Sequence, residues 1–239
     1  MLLFLRAIFT ILLFICLTAC HQKNEKAISV KPGTKNKVKD TVANPNTTTR
    51  ETKKEEPFKL DEDNAIPFFF DYAQQTSEKR VKITTQFGSF VIELFEETPY
   101  HRANFIYLTK SGYFNTTYFH RVVKGFIIQG GNSDNRKTGE KRASIGRYLL
   151  PPDTKKGFKH HRGVVSMPSS DIDNPHKLAS PFEFFIVVKD PGSYHLDGNY
   201  TAFGRVIQGM DVVDTINALP TDDGEWPLQN VYIKAEVTE

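Results

Sequence analysis

From about Arg80 to Glu239 the apolar residues fall in short runs, many alternating with polar ones, and glycine or proline stands between them. Period-two alternation over so few residues is the pattern of a half-buried strand, so this part of the chain is constrained to fold mainly as β-sheet. Val81–Thr85 alternates, Gly88 supplies a turn and Phe90–Phe95 returns, which predicts a hairpin. Further strands are predicted at Tyr118–Val122 and Phe126–Gln129, joined by a turn at Lys124-Gly125, and at Gly163–Met167, Phe182–Val188, Ala202–Ile207 and Tyr232–Val237. Two segments read as helices. Thr98-Pro99 places a capping hydroxyl before a proline at the first helical position, Tyr100, Ala103, Ile106 and Tyr107 define one face, and Gly112 ends it. Met210–Leu219 puts Val212, Val213 and Ile216 on one side and is stopped by Pro220. Many short strands and few helices in roughly 160 residues predict a closed antiparallel barrel or a sandwich. Asn132–Arg162 lacks periodicity and is predicted to be a long surface loop.

The first sixty residues have a different character. Met1–Ala19 carry one charge, Arg6, and an apolar run from Ile8 to Leu17. That run falls short of the roughly 20 residues of a membrane-spanning helix and suits the core of a signal peptide; an uncleaved anchor is the competing reading. Leu17-Thr18-Ala19-Cys20 resembles the lipobox of bacterial lipoproteins, which implies cleavage before Cys20 and acylation of its thiol. Buried acyl chains would hold the protein at a membrane surface, at about 0.8 kcal/mol per methylene. The expected organisation is a signal peptide over 1–19, a lipid-anchored disordered tether over 20–60, a short extension over 61–79 and one domain over 80–239. The tether is rich in Lys, Thr, Asn and Glu and poor in apolar residues, so it cannot bury enough surface to offset its ordering entropy. The extension carries Ile66-Pro67-Phe68-Phe69-Phe70-Asp71-Tyr72, read either as packing on the domain or as a recognition patch.

Composition closes several routes. The two cysteines are Cys16 and Cys20, so the remainder has no disulfide, no cysteine-ligated metal and no thiol nucleophile. Lys+Arg number 31 against 28 Asp+Glu, a net charge of +3, which argues against nucleic acid as a partner. His160-His161 points to opposite faces of an extended strand and lacks a third ligand, so no metal is expected.

The most informative segment is Phe119-His120-Arg121-Val122-Val123-Lys124-Gly125-Phe126-Ile127-Ile128-Gln129-Gly130-Gly131. Taken alone it is a hairpin that offers an arginine, a phenylalanine and a glutamine. It resembles the signature of the cyclophilins, and further blocks follow the family's order: Thr98–Phe114 upstream, then Gly163–Met167, Phe184-Phe185-Ile186, Leu196-Asp197-Gly198, Phe203–Val206 and Gly209–Val213. The resemblance spans about Arg80 to Glu239. It implies an eight-stranded closed antiparallel β-barrel capped by two α-helices, and peptidyl-prolyl cis-trans isomerisation without a cofactor. It also implies that Arg121 and Gln129 are catalytic, that Phe126, Ile127, Met167, Glu183, Phe185, Leu196 and Tyr200 bind substrate, and that His120 is structural.

Four departures from the family pattern bear on specificity. Glu183 stands where glutamine is usual, altering the charge that faces substrate and offering a partner to Arg121. His195 replaces a tryptophan that helps bind cyclosporin A, which implies weak inhibition by that drug. Tyr200 replaces a histidine, and Met167-Pro168-Ser169-Ser170 lacks the family's Ala-Asn. Two functional readings remain open: an isomerase acting on proline-containing polypeptides of the bacterial cell envelope, tethered to a membrane outside the cytoplasm, or a cyclophilin-like binding module with incidental activity. A monomer is expected.

Overall fold

Eight antiparallel strands form a single sheet in the computed structural model, which describes residues 58–169 and 174–238. The strands are β1 (Arg80–Thr85), β2 (Gly88–Leu94), β3 (Tyr118–Val123), β4 (Ile127–Asn132), β5 (Val164–Met167), β6 (Phe184–Val187), β7 (Thr201–Gln208) and β8 (Lys234–Thr238). Their order across the sheet is β3-β4-β6-β5-β7-β2-β1-β8. The expected signal peptide, Cys20 and all but the last residues of the tether lie outside the described residues, as does part of the stretch after Ser169.

The sheet curls into a half-barrel, and the closed barrel is corrected. The last strand begins later than its apolar pattern suggests, at Lys234, and runs along β1. The residues before it turn instead to the free edge of β3. There they make one isolated bridge, Tyr118 with Tyr232, flanked by hydrogen bonds from the Phe119 amide to the Val231 carbonyl (2.9 Å) and from the Ile233 amide to Thr117 (3.1 Å). The β3 edge is thus tacked down by this segment and is not zipped into a ladder.

Four α-helices are present among the described residues where two were expected: α1 (Ala65–Gln75), α2 (Pro99–Lys110), α3 (Arg136–Ile145) and α4 (Met210–Asn217). Helix α2 has more than the single buried face its pattern suggests: His101, Arg102, Asn104, Phe105 and Leu108 are all buried alongside Ala103 and Ile106. Phe105 packs on Phe184 and Phe203 of the sheet, and α1 packs on another side of α2, so the helix is covered from more than one direction. Phe69 of α1 is completely buried, and Phe68, Phe69 and Tyr72 each meet Tyr107 with ring centroids 5.2–5.8 Å apart. Arg102 reaches across, donating to the carbonyls of Thr76 (2.9 Å) and Ala73 (3.3 Å), groups that the end of α1 leaves without helical partners. The extension is therefore part of the packed structure.

Helix α3 occupies the segment expected to be a loop. Only Thr138 and Ile145 are buried, so there was no apolar stripe to read; its start is fixed by the Asn135 side chain, which accepts from the Lys137 amide at 2.9 Å. It ends at Gly146, where φ is +134° and a Cβ would lie 1.8 Å from the Leu60 carbonyl oxygen. Only glycine lets the chain entering the domain pair there, through Leu60 with Ile145 and Arg147. The main core holds Phe90, Phe105, Phe114, Phe119, Phe184 and Phe203. A second, smaller apolar cluster of Ile127, Phe185, Val187 and Leu196 lies apart from it, and the candidate site is built there.

Candidate functional site

Strands β3, β4 and β6 lie side by side, and their register sets Arg121 opposite Gln129 and Gln129 opposite Phe185. Residues directly opposite on neighbouring strands project from the same face. A cation, an amide and an aromatic ring therefore stand in one row. The row borders a cleft of about 380 Å³. Arg121 and Gln129 form its polar side, and Phe126, Ile127, Phe185, Leu196 and Tyr200 its apolar side, with Pro168 and Ser169 at the margin. A volume in this range accommodates a small ring with its flanking chain.

The apolar side is assembled from distant segments. Phe126 follows the Lys124-Gly125 turn, Leu196 sits on the short 3-10 turn Tyr194–Leu196, and Tyr200 precedes β7. Tyr200 packs edge-on against Phe185 at 5.6 Å, and His195 stacks on Phe126 at 5.4 Å, so His195 occupies the rim with an aromatic face of its own. Behind Phe185 lies His160, its ring parallel to the phenyl at 6.2 Å. His160 Nδ1 is 2.8 Å from Asp197 and Nε2 is 2.8 Å from Ser166 Oγ. The spacing is that of a Ser-His-Asp relay, but Ser166 is wholly buried, so the trio fixes the wall and offers no nucleophile to the cleft.

Arg121 makes two contacts. Its Nη1 donates to Gln129 Oε1 at 3.5 Å, and its Nε donates to Glu225 Oε2 at 2.6 Å. The pairing of Arg121 with Glu183 is corrected. Glu183 accepts from Gln129 Nε2 (2.8 Å) and Asn132 Nδ2 (3.0 Å) and lies 3.5 Å from His120 Nε2. Burial raises the Glu183 carboxyl, but His120, Gln129 and the charge of Arg142 outweigh it and hold the group below the ordinary carboxylate range. Glu183 thus grips Gln129 from behind and is not on the cleft wall. Gly131, at φ +98°, permits this: a Cβ there would lie 2.2 Å from the Phe182 carbonyl oxygen.

Of the sequence-derived residues, Arg121, Gln129, Phe126, Ile127, Phe185, Leu196 and Tyr200 converge on the cleft. Met167 does not; it belongs to the main core, 1% exposed. Glu225 was missed. It lies in the Thr221–Pro227 turn, where Asp-Asp-Gly-Glu reads only as loop chemistry, and nothing local ties it to a residue 104 positions earlier. Among the described residues no cluster of three or more His, Cys, Asp or Glu could hold a metal ion.

Comparison with known proteins bears on this arrangement. A family model described as cyclophilin type peptidyl-prolyl cis-trans isomerase/CLD matches residues 80–237. The chain is 36% identical over 177 residues to peptidyl-prolyl cis-trans isomerase-like 2 of Rhizopus delemar, covering 73% of this chain but only 31% of that protein. It is 35% identical over 157 residues to peptidyl-prolyl cis-trans isomerase-like 3 of Dictyostelium discoideum, covering 65% of this chain and 92% of that one. Among solved structures it is similar to a Cryptosporidium parvum cyclophilin type peptidyl-prolyl cis-trans isomerase, with a TM-score of 0.57 and 30% identity over 68% of this chain and 98% of the other. That protein has also been crystallised in the presence of the dipeptide Ala-Pro.

Proposed function

We infer how this chain works from one premise: it belongs to the cyclophilin-type peptidyl-prolyl cis-trans isomerase family. Its activity is the interconversion of cis and trans X-Pro bonds. Rotation about such a bond faces a barrier of about 18–20 kcal/mol, and unaided it takes tens to hundreds of seconds. No covalent bond needs to break. As the amide twists, the prolyl nitrogen loses resonance with the carbonyl and gains a lone pair that the planar form does not present.

In our reading the proline ring enters the apolar side of the cleft, among Phe126, Phe185 and Leu196, and is held while the acyl part turns. Arg121 stands at the edge of that space and donates to the nitrogen as it pyramidalises. A donor fixed in advance stabilises the twisted form more than the planar one, and that difference is what lowers the barrier. Guanidinium suits the task because it is always charged and its donors form a rigid fork. Gln129, gripped by Glu183, steadies the guanidinium and can hold a substrate carbonyl through its amide. The observation that carries this reading is the Arg121–Gln129–Phe185 row across three adjacent strands.

We further propose that the protein works outside the cytoplasm on exported or envelope proteins, held to a membrane by lipid on Cys20. This part rests on Leu17-Thr18-Ala19-Cys20 alone. The catalytic reading is tested with the full chain in a protease-coupled assay on an Ala-Pro peptide. Wild type accelerates isomerisation, and Arg121→Ala should lose about 10²-fold, the effect of removing one transition-state donor. Equal rates from the two proteins would refute it.

A further inference from the structure

Glu225 holds Arg121 through the shortest polar contact in the site, and it comes from a loop outside the cleft whose next residue, Trp226, packs on His120 with ring centroids 5.8 Å apart. That loop follows α4 and is closed by its own bonds. The Asp222 amide donates to the Trp226 carbonyl (2.9 Å), and Asp222 Oδ1 accepts from the amides of Gly224 (2.9 Å) and Trp226 (2.8 Å). It lies along the β3 edge, where the Val122 amide donates to the Glu225 carbonyl at 2.8 Å. One residue therefore engages two successive positions of β3: its main chain takes Val122 and its carboxylate takes Arg121.

The backbone at Glu225 is in the left-handed region, with φ 64°; among the described residues Lys177 is the other non-glycine residue at positive φ. Glycine adopts this conformation without strain, and could make the same carbonyl contact to Val122. The turn therefore gains nothing from a glutamate, and the strain points to work done by the side chain. Stability is not that work. Both members of the Arg121–Glu225 pair are 40% exposed, and ion pairs so open to water contribute little to folding. Orientation is what remains.

We propose that Glu225 is a positioning residue for the isomerisation, fixing the plane of the Arg121 guanidinium before substrate arrives. The proposal rests on the role given to Arg121 above. With Nε committed to Glu225 and one Nη1 hydrogen to Gln129, three of the five donors remain for the cleft. Arginine has many rotamers, and without Glu225 it would have to be ordered during the reaction itself. The planar ground state presents no lone pair for Arg121 to bind, so the loss belongs in kcat and not in KM.

The test compares five full-length proteins: wild type, Glu225→Gly, Glu225→Gln, Arg121→Ala, and Arg121→Ala combined with Glu225→Gly. Each is measured for kcat and KM on an Ala-Pro peptide and for its unfolding temperature. Glu225→Gly should unfold no earlier than wild type because the strain is relieved, while kcat drops about tenfold with KM within about twofold. Glu225→Gln, which keeps an acceptor but no charge, should fall between. On the Arg121→Ala background Glu225→Gly should have no further effect. If Arg121→Ala loses activity but Glu225→Gly keeps the wild-type kcat, the role of Arg121 stands and that of Glu225 is overturned. An undiminished Glu225→Gly loss in the double variant also overturns it, because the effect would not pass through Arg121. If Arg121→Ala loses nothing, both readings fall. Should the glycine variant not fold, the glutamine variant decides by the same kcat criterion.

Discussion

His101 is wholly buried, and neither ring nitrogen has a hydrogen-bond partner. Burial pushes its pKa from 6.5 down to about 3, so it is neutral in the folded protein, with Asp153 at 4.0 Å. In the unfolded chain it takes up a proton below about pH 6.5. The unfolded state then binds more protons than the folded one, and stability falls as the solution is acidified, by up to about 1.4 kcal/mol per pH unit from this group. Chemical denaturation of wild type and His101→Leu across this range should show a flatter dependence for the variant; parallel curves would remove His101 from the account. At this scale the sequence was most legible where a residue's neighbours in space are near in the chain or set by strand pairing. Arg121 and Gln129 are eight apart on one hairpin, and their meeting follows from the hairpin register. Glu225 and the true partners of Glu183 depend on how a loop lies on an edge and how a turn is aimed, and no local pattern records either.

Among elements, α1 changes the picture most. The family model begins at residue 80, yet Phe69 is buried as deeply as any core residue and Arg102 bonds back to the end of α1. Phe69→Ala should therefore destabilise the whole domain by about 3–5 kcal/mol, as for a core aromatic. Denaturant titration would show it, and a change below about 1 kcal/mol would mean that α1 is a dispensable ornament. The aromatic run at 66–72 was visible in the sequence, but not its destination, because a helix that covers another helix has the same composition as an exposed patch. Helix α3 was hidden for the opposite reason. With two buried residues it has no stripe, and a cap and a pairing with Leu60 hold it in place.

At the scale of the molecule, the strand content and the hairpin that sets Arg121 opposite Gln129 were readable, whereas the number of closed edges was not. Closure depends on whether the last strand reaches β3, a difference of two residues in where β8 begins. The proposed anchor also belongs here. Cys20→Ser should leave the signal uncleaved at that site and the chain without lipid, shown by intact mass and by extraction of the membrane fraction; an unmodified Cys20 in the wild-type protein would end the proposal.

The order in which the strands lie has a temporal consequence. β1 is flanked by β8, and Arg121 is bound by a side chain more than a hundred residues later. A polypeptide delivered from its amino end presents residue 121 long before residue 225 arrives, and the sheet lacks a member until residues 234–238 emerge. During synthesis such a chain is itself an unfinished substrate for helpers. It begins to serve others only after nearly all of it has emerged.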